Sequence, residues 1–109
     1  MSGNVVRTPS REQVLALVLD AAAEALEPDT GLDRSQLSES TPLFGTGAVV
    51  DSLGLVRIIT DVEETVSDQF GQEIDLTDER ALSRERSPFR TVGTLVDHIM
   101  SDVGAQRTL

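Results

Sequence analysis

The chain has no cysteine, tryptophan or tyrosine, and its only aromatic residues are three phenylalanines. Without cysteine there is no disulfide framework, no thiolate zinc site and no cysteine nucleophile. Aromatics at 3% argue against a platform that stacks nucleic-acid bases. Basic residues are also scarce: nine stand against 19 acidic ones, giving a net charge of −10 and a pI of about 4.3. A binder of phosphate backbones needs the opposite sign. Long apolar runs are missing. The longest, Val14 to Leu19, is stopped by Asp20 and falls far short of a membrane span. Met1 to Pro9 is polar with one arginine and no apolar core, unlike a secretory signal. These absences lead to the expectation of a soluble, cytoplasmic protein that binds no nucleic acid.

What remains is 109 residues and 11.7 kDa, 39% hydrophobic. That is one globular domain with a modest core. Residues 1–9 read as a flexible leader, 10–103 as the domain and 104–109 as a tail. Ser10 followed three residues later by Gln13 has capping-box spacing. Val14, Leu15, Val18, Ala22, Ala25 and Leu26 then recur at helical period, and Pro28 bars continuation. The first helix is therefore expected over 10–26. Residues 27–50 form a long connection punctuated by Pro28, Gly31, Pro42, Gly45 and Gly47. Leu32, Leu37, Leu43 and Phe44 are expected to pin it to the core.

Asp51 is a natural N-cap. Beyond it Leu55, Ile58, Ile59, Val62 and Val66 make one apolar stripe, with Gly54, Arg57, Asp61, Glu64 and Asp68 on the other side. Gly71 can adopt the left-handed conformation that ends a helix, so the second helix is expected over 51–70. Ile74 and Leu76 would anchor a charged stretch, and Thr77–Asp78–Glu79 would start a short helix through Arg86, gripped by Ala81 and Leu82. Thr91 caps a last helix with Val92, Leu95, Val96, Ile99 and Val103 on one face, ended by Gly104. No useful β alternation, repeat or low-complexity segment is present. The pattern is all-α: three main helices and a short third one in a small bundle, with a long loop between the first two.

Catalysis by the chain itself looks poor. His98 is the lone histidine. A Ser52–His98–Asp triad can be written on paper, but a triad is defined by geometry, and no Gly-x-Ser-x-Gly elbow is present. His98 is expected to be an ordinary, partly exposed helical residue. No acidic run has calcium-loop spacing. The informative segment is Gly47-Ala48-Val49-Val50-Asp51-Ser52-Leu53-Gly54-Leu55-Val56. It puts a serine at the first turn of an amphipathic helix, where free N–H groups and the helix dipole stabilise an anion. Position alone fits two readings, a phosphate attachment point or a plain capping arrangement with Asp51. On position alone the capping reading comes first.

Asp51-Ser52-Leu53 resembles the attachment motif of acyl and peptidyl carrier proteins. The likeness extends to Thr41-Pro42-Leu43-Phe44, Gly47 and Val50 through Val56. It continues in Val62-Glu63-Glu64, in Phe70-Gly71-Gln72-Glu73-Ile74, and in Phe89 through Ile99 with its threonine cap, so it covers about residues 10–103. A bare Asp-Ser-Leu is a weak signal. Position, flanks, length, acidity and helix order together carry the resemblance. It implies a four-helix bundle of carrier-protein type, stand-alone, in which Ser52 bears 4′-phosphopantetheine taken from coenzyme A, with Asp51 beside it. The chain would then be no enzyme but the substrate of a phosphopantetheinyl transferase. It would hold acyl or aminoacyl groups as thioesters for a fatty acid, polyketide or nonribosomal peptide pathway. Its partners would be that transferase, a loading enzyme and downstream synthase or tailoring enzymes, met by a monomer.

Leu53, Val56, Arg57, Asp61, Glu63, Glu64 and Asp68 are the expected partner-recognition residues. For any one acid, a solvated face giving solubility is an equal reading; as a stripe, charge complementarity suits a shuttle that must bind and leave quickly. Three departures from the common pattern point to a specialised pathway: a second helix one turn longer through Thr65–Gln69, a cation at Arg57 where many carriers have an acid, and an expanded 77–88 segment. An unmodified acidic interaction module is the alternative from a different class; a hydrolase using Ser52 is remote.

Overall fold

The computed structural model describes residues 9–27, 30–71, 73, 74, 76 and 89–106, the last three by their backbone alone. They form an all-α domain of three packed helices and one 3-10 turn: α1 (Arg11–Ala25), the turn at Arg34–Gln36, α2 (Ser52–Phe70) and α3 (Val92–Gln106). The short helix expected within 77–86, with Ala81 and Leu82, lies outside the described residues, as do residues 1–8 and Pro28.

Local chemistry sets where each helix starts. Ser10 Oγ accepts the Gln13 N–H at 3.1 Å, and Gln13 Oε1 accepts the Ser10 N–H at 2.8 Å. This reciprocal box satisfies two otherwise orphaned donors of α1. Thr91 Oγ1 accepts the Thr94 N–H at 3.1 Å and so starts α3. Gly71 ends α2 at φ 68°, a left-handed conformation that an L side chain resists. Gly104 does not end α3, which runs on to Gln106; a glycine within a helix costs only about 1 kcal/mol, and neighbours in register override it.

The core follows the helical period. Val14, Val18, Ala21 and Ala22 of α1 cluster with Leu55, Ile58, Ile59, Val62 and Val66 of α2 and Val92, Leu95, Val96, Ile99 and Val103 of α3, and Phe70 is buried at the end of α2. Full burial of an aliphatic side chain of this size stabilises by about 1.5–3 kcal/mol before ordering costs. Ala21, absent from the expected stripe, is buried, whereas Leu15, Ala25 and Leu26 are only half-buried. Val66 stays in the stripe, so the long second helix keeps its face. Pro9, assigned to the leader, is buried.

Backbone hydrogen bonds tie the long connection to the start of α3. The Val92 N–H donates to the Thr41 carbonyl at 3.0 Å, the Gly93 N–H to the Glu39 carbonyl at 2.8 Å, and the Leu43 N–H to the Arg90 carbonyl at 2.8 Å. Pro42 and Thr91 form an isolated antiparallel bridge. The loop thus supplies acceptors to the orphan donors at the start of α3. Leu37, Leu43 and Val50 are buried beneath it, and Leu32 packs partly against the core. Phe44, expected to be a pin, is instead 53% exposed. Arg11 fastens the same corner by reaching Glu39 at 2.7 Å and Asp97 at 3.0 Å. No helix among the described residues is long and apolar enough to cross a membrane.

Candidate functional site

Asp51 stands in extended conformation ahead of α2 and turns its carboxylate back over the first turn. Its Oδ1 accepts the Gly54 N–H at 2.7 Å, and its carbonyl accepts the Leu55 N–H at 2.9 Å. Ser52 is the first helical residue, and its side chain is exposed. The N–H groups of Ser52 and Leu53 meet no acceptor among the described residues. The serine hydroxyl therefore lies at the positive end of a 19-residue helix, beside two open donors. Asp51 does the capping, which leaves the Ser52 hydroxyl out of that duty. An anion joined to Ser52 Oγ is well placed here.

The surroundings are apolar. Leu53 is 80% exposed and Val56 58% exposed, and with Phe44 in the preceding loop they are the large hydrophobic residues left in solvent among the described residues. Leu53 and Val56 are three apart on α2, so they lie on one face. Arg57, exposed, follows directly. The acidic residues lie further along. Asp61 is half-buried, while Glu64 and Asp68 are exposed. Asp68 stands about 24 Å along the helix from Ser52 at the usual rise per residue. Glu63 differs from the rest: its Oε2 accepts the Leu76 N–H at 2.8 Å, holding Leu76 to the helix. It is structural as well as acidic. Glu63, Glu64, Ser67, Asp68, Glu73 and Ile74 line an open groove of about 720 Å³ at this far end of α2.

His98 corrects an expectation. It is 6% exposed, neither ring nitrogen has a hydrogen-bond partner, and its ring meets Phe89 edge-on with centroids 6.2 Å apart. The residue sits beside the apolar stripe of α3, and α3 packs deeply enough to bury that flank as well. No hydrogen bond joins it to Ser52. The paper triad is not assembled, and the buried ring is in no position to relay a proton to an exposed hydroxyl.

Two residues of this region were not singled out from sequence as part of the site. Phe44 was given no role at the site, because an aromatic residue in a loop reads as an anchor. Gly54 carried one, a glycine inside an amphipathic pattern. Comparison with known proteins returns nothing: no family model, no curated protein and no solved structure matches the chain.

Proposed function

We propose that this chain is an acyl carrier protein, with Ser52 as the attachment residue for 4′-phosphopantetheine and Asp51 as its cap. The observation that carries the reading is the exposed Ser52 hydroxyl at the first position of α2, relieved of capping by Asp51 and flanked by exposed Leu53 and Val56. The residues fit the group chemically: a phosphodiester on Oγ would lie at the helix's positive end. The finer architecture, a carrier-type bundle with a short helix between α2 and α3, is part of the same proposal.

Ser52 Oγ attacks the β-phosphorus of coenzyme A within a transferase. A serine–phosphorus bond forms, the pyrophosphate bond breaks, adenosine 3′,5′-bisphosphate leaves, and the serine proton passes to a base of the transferase. The attached arm supplies a terminal thiol that holds acyl or aminoacyl groups as thioesters. This chain's own residues present the hydroxyl and dock. Leu53 and Val56 offer apolar contact at the attachment turn, while Arg57, Asp61, Glu64 and Asp68 add charge that speeds encounter without slowing release. Glu63 contributes mainly by holding Leu76. The partners in this reading are the transferase, a loading enzyme and downstream synthase or tailoring enzymes of a fatty acid, polyketide or nonribosomal peptide pathway.

The test is intact mass after incubation with coenzyme A, Mg²⁺ and a broad-specificity phosphopantetheinyl transferase. One phosphopantetheinyl group is expected on the wild-type chain and none on Ser52→Ala. A wild-type chain that gains no mass overturns the reading and favours an unmodified interaction module.

A further inference from the structure

The first turn of α2 carries a glycine where helix propensity alone disfavours it by about 1 kcal/mol against alanine. Gly54 is not among the positive-φ glycines, so backbone freedom is not the reason. Space is. A Cβ on Gly54 would lie 3.0 Å from Val50 Cβ, 3.3 Å from the Ala25 carbonyl oxygen and 3.3 Å from Asp51 Oδ1. Comfortable contact between such atoms begins at about 3.5 Å.

None of these neighbours is a free, flexible tip. Val50 is buried and its Cβ is fixed by the backbone. The Ala25 oxygen is main chain at the end of α1. Asp51 Oδ1 is committed to the Gly54 N–H. Close by, the Glu27 N–H donates to the Val49 carbonyl at 3.4 Å, joining the chain that leaves α1 to the chain that enters α2. All three crowding atoms belong to the frame around Ser52: the two residues before it and the helix end against which its turn rests.

We propose that Gly54 is a positioning residue for Ser52. By omitting a side chain it lets the first turn of α2 seat against the end of α1 with the Asp51 cap intact. That seating sets where Ser52 Oγ stands relative to Leu53 and Val56. The proposal rests on the carrier reading. A methyl group at Gly54 has two ways out: it lifts the turn away from Ala25, or it drives the Asp51 carboxylate off its donor. Both displace Ser52 relative to Val56, which lies on the next turn beside the buried Leu55 and Ile58.

The experiment compares phosphopantetheinyl transfer from coenzyme A to wild type and Gly54→Ala, at a temperature where circular dichroism shows both folded. The expected result is a loss of about tenfold in kcat, as small displacements of a reacting group produce. KM should stay within about twofold, because the docking residues remain. Replacing Val50 by glycine in the Gly54→Ala chain removes the nearest crowding atom. Judged against Val50→Gly alone, that double variant should regain most of the lost kcat even though it is less stable. The pair also serves if Gly54→Ala alone does not fold. Transfer at the wild-type kcat by Gly54→Ala, a loss that follows thermal stability across the variants, or loss of fold in both variants would overturn the proposal. A wild-type chain that gains no mass is a different failure, that of the carrier reading itself.

Discussion

Asp51 Oδ1 lies 2.7 Å from the Gly54 backbone nitrogen and closes the first turn of α2 directly beneath the exposed Ser52. The same carboxylate thus stabilises the helix and frees the serine from capping it. Asp51→Ala should lower stability by about 1 kcal/mol, and Asp51→Asn, which keeps the acceptor, should lower it by much less. Chemical denaturation of the two variants checks this. If both lose equally, the negative charge matters and the cap does not.

Leu53 is 80% exposed, so in the carrier reading its contribution belongs to partners. Leu53→Ala should leave stability within about 0.5 kcal/mol of wild type, while raising the KM of phosphopantetheinyl transfer. Urea denaturation and steady-state kinetics on one preparation separate the two effects. A destabilised variant with normal kinetics would place Leu53 in the fold instead.

The buried imidazole of His98, with neither nitrogen bonded, is a cost the fold carries. An apolar side chain of similar volume avoids it. His98→Leu should raise stability on the order of 1 kcal/mol and leave modification of Ser52 unchanged. A marked loss of stability would show that the edge contact with Phe89 outweighs the unpaired nitrogens.

Glu39 is one of the two acids, with Asp97, that meet Arg11 at its exposed corner. The Arg11 hydrogen bond, first among the causes, holds its carboxyl below the usual glutamate value, against a smaller opposing effect of desolvation. A lowered acid stabilises the fold above its unfolded-state value, about 4.3, and loses that contribution as pH falls through the folded-state value beneath it. Wild type should therefore exceed Glu39→Gln in thermal midpoint at neutral pH by a small margin, since exposed pairs contribute little. The margin should close as the solution is acidified below the ordinary carboxylate range and shrink in high salt. A margin that persists in acid would assign the effect to packing.

Helix starts and the α2 core face were legible in the sequence because they are local. Ser10 with Gln13, Asp51 before Leu55, and Gly71 after Phe70 each involve residues within one turn. What was not legible depended on distant chain. Acceptors at Glu39 and Thr41 dock the loop onto α3 through pairings some fifty residues apart, which no periodicity encodes. Phe44 was read as a pin and lies in solvent, because Leu43 beside it takes the buried place. His98 was read as partly exposed and is buried, because a helix packed at its flank covers more than its strict apolar stripe. The Ser52 environment was legible by residue type. Its geometry, above all the crowding at Gly54, required the end of α1 to be in place.

The central claim is that Ser52 bears a prosthetic arm. Its most direct test is tandem mass spectrometry of the chain after co-expression with a phosphopantetheinyl transferase, read on the tryptic peptide of residues 35–57. The account predicts that this peptide carries the added group on Ser52 and ejects a pantetheine fragment on activation, with no other peptide doing so. Recovery of that peptide wholly unmodified, or with the group on another serine, would contradict it.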